Sequence, residues 1–176
     1  EGSFEYTYRT GAEGVWITKI TPSAGDISVL KIPSKLAGKK VVRLGNGNGA
    51  FKQEDTSDTM WEAENWSNIF GEKCSEDSTV ENIIIEPKDV YDRVAQIEEI
   101  DVPDTVQWID LGLFAYVQNG KMLRLPAGLK TKLEDADLTG VTWKEVSFSG
   151  ENKNYKIVDG FLCSQDGKTV YGLLEE

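Results

Sequence analysis

One apolar-x-apolar triplet recurs at a fixed interval in the second half of this chain, and it constrains the fold more than any other feature. Ile100-Asp101-Val102, Leu123-Arg124-Leu125 and Val146-Ser147-Phe148 follow one another at an identical 23-residue step, position for position. A single variable residue between two apolar ones is a short strand with both apolar side chains on one face, because side chains alternate. The wider form, with a further apolar residue three positions earlier or a Pro directly after, also fits Ile27–Pro33, Val80–Ile85 and Ile97–Pro103. A unit of about 20–29 residues with one such strand cannot bury that face alone. Stacked neighbours bury it by closing a continuous core. The spacing therefore predicts a mainly β chain, a solenoid of short parallel strands of the leucine-rich repeat class.

The ends of the chain read differently. Phe4, Tyr6 and Tyr8 alternate along one strand, a Gly11–Gly14 turn follows, and Val15–Ile20 returns as the second strand of a hairpin. Tyr155–Val158, Phe161–Ser164 and Thr169–Leu174, separated by Asp159-Gly160 and Asp166-Gly167, read as a three-strand meander. With 176 residues the chain suits a single domain, 1–176. Within it, 1–26 is the N-terminal hairpin cap, 27–149 the repeats and 150–176 the C-terminal meander. Between the repeats, Ala50-Phe51 and Phe114 supply aromatics able to plug the convex side. The stretch from Phe51 to Ile83 exceeds that from Phe114 to Leu123 by one whole repeat length, so 52–79 is expected to hold a lost or distorted repeat.

Charge separates the middle from the rest. Residues 53–110 carry 17 Asp/Glu against three Lys/Arg, a local net of −14, and the remainder is +3. Such a middle repels phosphate backbones and anionic lipid heads, which argues against nucleic-acid and membrane-surface partners. It also serves simply as a solvated face. No apolar run reaches the ~18 residues of a membrane span, so no direct membrane insertion is expected.

Histidine is absent. That removes Ser-His and Cys-His nucleophile pairs and the usual general base near neutral pH. Cys74 and Cys163 are too few for a disulfide framework or a thiolate zinc site, and read as small buried apolar side chains. The acidic clusters lack the order of a calcium loop. No catalytic group, metal site or cofactor is expected.

The stretches IPS…GKKVV.LG…AF and VPDTVQWIDLGLF, with the closing ENKNYKIVDGFLCSQDGKT, resemble the BspA-type leucine-rich repeat proteins of bacteria. The resemblance covers most of the chain and is weakest through 52–96. It departs in the shortened step from Ile85 to Val102, in Glu86-Pro87, and in Asp137-Leu138 where Ala-Phe is the pattern. It implies an extracellular or cell-surface protein, its leader removed, with a role in adhesion or protein–protein interaction.

Two groups of residues are candidates for binding. The middle residues of the strands, Lys31, Ile84, Asp101, Arg124 and Ser147, should form one row on the strand face, with Val29, Asn82, Glu99, Met122 and Glu145 beside it. Asp101 and Arg124 become neighbours about 4.8 Å apart, either a ligand face or an exposed pair of little energetic weight. Trp61 and Trp66 lie in a polar, acidic stretch with a helix-start signature at Thr59 and Glu62 and a stop at Gly71. They either plug the convex side or, with Trp108, offer a sugar-stacking platform. The expected partner is accordingly a protein, or alternatively a surface glycan bound through tryptophan.

Overall fold

The computed structural model describes residues 3–23, 25–45, 92–109, 114, 117–130 and 143–173. The chain is mainly β. Its strands are β1 (Phe4–Thr10), β2 (Val15–Pro22), β3 (Val29–Lys31), β4 (Lys35–Leu36), β5 (Lys39–Leu44), β6 (Glu99–Asp101), β7 (Trp108–Ile109), β8 (Met122–Leu125), β9 (Glu145–Phe148), β10 (Tyr155–Val158), β11 (Phe161–Ser164) and β12 (Val170–Leu173). Among the described residues, only 92–94 are α-helical.

The strands form three sheets of different character. β3, β6, β8 and β9 make an all-parallel sheet in chain order. A five-stranded sheet is mixed: β1 is antiparallel to β2, β2 is parallel to β5, and β5 pairs parallel with β7 and antiparallel with β4. β10, β11 and β12 are an antiparallel meander. The expectation of parallel strands with antiparallel hairpins only at the ends is thus too uniform. Lys35-Leu36 and Lys39-Lys40 fold back on each other through Ala37 and Gly38, both at positive φ (49° and 75°), placing an antiparallel hairpin within 27–149. Paired positive φ values are the geometry of a tight two-residue hairpin turn.

The core lies between the parallel and the mixed sheets. Leu30, Ile100, Leu123 and Val146 occupy one register column of the parallel sheet, and all four are buried. Val15, Ile17, Val41 and Leu44 close the other side, with no exposed surface. Full burial of a side chain of this size is worth about 1.5–3 kcal/mol relative to exposure, so these columns outweigh any surface charge pair. The repeat interval reappears within the core. Val106 and Leu129 are both buried, as are Val102 and Leu125.

At the same spacing, Gly120 and Trp143 compensate one another in volume. A Cβ on Gly120 would lie 2.5 Å from the Trp143 ring, so the glycine leaves the space that the buried indole fills.

β3 pairs directly with β6, Leu30 against Ile100, and β5 pairs directly with β7, Arg43 against Trp108. Both sheets therefore step from residues before 46 to residues after 91 with no strand between. The lost or distorted repeat expected at 52–79 and the strand expected at Val80–Ile85 both fall outside the described residues.

Candidate functional site: the open face of the parallel sheet

The residues flanking the buried column of the parallel sheet point the other way. Lys31 pairs in register with Asp101, Asp101 with Arg124, and Arg124 with Ser147. Val29, Glu99, Met122 and Glu145 form the parallel row beside them. Lys31 and Arg124 are exposed, and Asp101 and Ser147 are half-buried. The register thus brings four of the five predicted row residues together. Among the described residues Lys31 and Asp101 are direct neighbours. Ile84, Asn82, Trp61 and Trp66 lie outside the described residues.

The Lys31, Asp101 and Arg124 side chains make no ion pair or hydrogen bond among the described residues. Ladder neighbours of opposite charge therefore stand side by side without closing on each other. Other charged groups are committed to the fold. Lys121 bridges Glu98 at 2.7 Å, tying the starts of β6 and β8 together. Asp26 accepts from the Ser28 amide and hydroxyl, which hold its carboxyl below the usual range. Asp166 is lowered first by the Ser164 hydroxyl and then by the Lys168 amide. Asp104 accepts from the Ser149 hydroxyl and, at 3.4 Å, from the Ala127 amide.

A second column, on the mixed sheet, escaped the sequence reading. Trp16 pairs with Arg43 and Arg43 with Trp108. The Lys130 amide donates to the Gln107 carbonyl, bringing the next turn alongside. The Arg43 guanidinium carbon is 5.2 Å from the Trp16 ring centre, and the Lys130 ammonium is 6.0 Å from that of Trp108. Aromatic and cation therefore alternate through Trp16, Arg43, Trp108 and Lys130. Arg43 is only 2% exposed. Stacking on an indole suits a weakly hydrated planar cation, and it is worth about 2 kcal/mol or more when desolvated. Periodicity could not reveal this column, since its members are unevenly spaced along the chain. The available signal was a lone Arg in the apolar strand Val41-Val42-Arg43-Leu44. Trp108, the one candidate sugar platform among the described residues, is half-buried and faces this Lys130 ammonium.

The segment after β8 is joined to the meander by Asn152, also unforeseen. It is buried, donates to the Ala127 carbonyl at 2.9 Å, and accepts from the Asn154 and Tyr155 amides at 2.8 and 3.0 Å. One side chain thereby satisfies backbone groups on both sides of the junction.

Cys163 is buried and unbridged. No group of three His, Cys, Asp or Glu among the described residues is placed to hold a metal ion. No helix among them is long and apolar enough to cross a membrane. Comparison with protein-family models, with curated proteins and with solved structures finds no match to this chain.

Proposed function

We propose that the chain is a non-catalytic leucine-rich repeat module of the BspA type, exposed at the cell surface or secreted, that binds a protein partner across the open face of its parallel sheet. One observation carries this reading. Lys31, Asp101 and Arg124 stand in register on one sheet face, and among the described residues none of their side chains makes an ion pair or hydrogen bond. Rows of alternating charge select partners by complementarity more than they hold a fold together. Repeat proteins of stacked strands commonly offer such a row as an extended binding surface.

The test is a binding screen of the immobilised chain against purified secreted and cell-surface proteins, run beside the Asp101→Ala/Arg124→Ala double variant. A partner that engages this face should lose at least about tenfold in affinity to the double variant. Partners that bind both forms equally would contradict the assignment. A tryptophan-fluorescence response to a glycan panel, lost in Trp108→Ala, would favour the carbohydrate alternative instead.

A further inference from the structure

The first strand ends the mixed sheet. β1 pairs with β2 on one side only, and its other side has no strand among the described residues. Three hydrogen bonds, one within β1 and one just beyond each of its ends, fix which groups face that open side. The Ser3 carbonyl accepts from the Ser23 amide, the Thr7 carbonyl from the Thr18 hydroxyl, and the Gly11 amide donates to the Gly14 carbonyl. All three odd-numbered residues therefore turn towards β2 or its turn. Backbone groups alternate sides along a strand, so Phe4, Tyr6, Tyr8 and Thr10 present their amides and carbonyls outward. The irregularity in the hairpin does not interrupt this edge. Thr7 pairs with Lys19 and Tyr8 with Ile17, so the extra residue is Thr18, on β2.

Open edges of this length are usually blunted by Pro, by charged side chains, Lys above all, or by a bulge on the edge strand itself. β1, Phe-Glu-Tyr-Thr-Tyr-Arg-Thr, has no Pro, Lys or bulge, and its two charges, Glu5 and Arg9, are opposite in sign. Its sequence is instead self-complementary about Thr7. An antiparallel copy related by a two-fold axis at Thr7 sets Glu5 opposite Arg9, Tyr6 opposite Tyr8, Thr7 opposite Thr7 and Phe4 opposite Thr10. Opposite-charge, aromatic and Thr–Thr pairs are the favourable cross-strand combinations. The same register makes Tyr6–Tyr8 and Phe4–Thr10 the hydrogen-bonded pairs, using the outward-facing groups, while Thr7–Thr7 falls at a non-hydrogen-bonded position where side chains approach closest. Sliding by two positions in either direction keeps the hydrogen bonding but removes both charge pairs. Glu5 and Arg9 are exposed, and neither side chain makes an ion pair or hydrogen bond among the described residues.

We infer that β1 is a homodimerisation edge: two copies of this chain pair antiparallel through Phe4–Thr10 about a two-fold at Thr7, continuing the mixed sheet from one copy into the other. Such an interface is isologous and closes on itself. It leaves the row of Lys31, Asp101, Arg124 and Ser147 open on each copy.

Sedimentation equilibrium over a range of concentrations tests this with exposed charge swaps that do not touch the core. The wild-type chain should associate reversibly to a dimer. Glu5→Arg alone and Arg9→Glu alone should each weaken the dimer about tenfold or more, since each makes both charge pairs repulsive. An equimolar mixture of the two single variants should recover association as a mixed dimer, and Glu5→Arg/Arg9→Glu should recover the homodimer. That recovery also shows that the variants are folded. Hydrogen exchange should slow at the Tyr6 and Tyr8 amides as the dimer forms. A wild-type chain that stays monomeric, a dimer indifferent to the single swaps, or a mixture that fails to recover association would each overturn the inference.

Discussion

Two columns of side chains run in register through this molecule, and both carry charge. On the parallel sheet, Lys31, Asp101, Arg124 and Ser147 line the open face. On the mixed sheet, Trp16, Arg43, Trp108 and Lys130 alternate ring and cation, with Arg43 removed from solvent. The ladder geometry is the same, a side chain about every 4.8 Å, yet the energetic weight differs. An exposed charge pair is worth about 0–1 kcal/mol, because water and salt screen it. A desolvated cation against an indole ring cannot be replaced by water, and its loss also opens a cavity. Register alone does not distinguish a structural column from a free one. Burial does.

The largest expected effect lies in the covered column. Arg43→Ala should cost about 3 kcal/mol in urea unfolding, combining lost stacking with the space left behind. Arg43→Met sharpens the point: stability equal to wild type would mean that the column contributes through packing rather than charge. A smaller effect is expected where two turns share one volume. Gly120→Ala should lose about 1–3 kcal/mol, because the new methyl meets the buried Trp143 ring. Trp143→Leu in the same chain should recover part of that loss, and simple additivity would break the volume argument. At the exposed end of the cation–aromatic column, Lys130→Ala should shift stability by no more than about 1 kcal/mol. A loss matching that of Arg43→Ala would show that burial does not set the weight of these contacts.

Much of the framework was legible because it is periodic. The repeat interval aligns β6, β8 and β9 and therefore predicts that Asp101, Arg124 and Ser147 are neighbours, as the register shows. Apolar alternation located β1 and β2, and the Asp-Gly pairs located the turns of the meander. What periodicity could not supply was adjacency. The direct pairing of β3 with β6, Val29 opposite Glu99, joins strands far apart in the chain and is not written in the interval. The Trp16–Arg43–Trp108 column was hidden for a related reason. Its members come from units of unequal length, and an arginine in a sequence reads as surface until its neighbours are known. Asn152 sits among polar residues, and its burial follows from the meander folding over it.

Urea unfolding of the Asp101→Ala/Arg124→Ala double variant, measured beside wild type, tests the contrast between the two columns most directly. If the open row is free of structural duty, the double variant should unfold within about 1 kcal/mol of wild type. A loss of about 3 kcal/mol, equal to that expected for Arg43→Ala, would show that the row holds the fold together and is not a surface kept open for a partner.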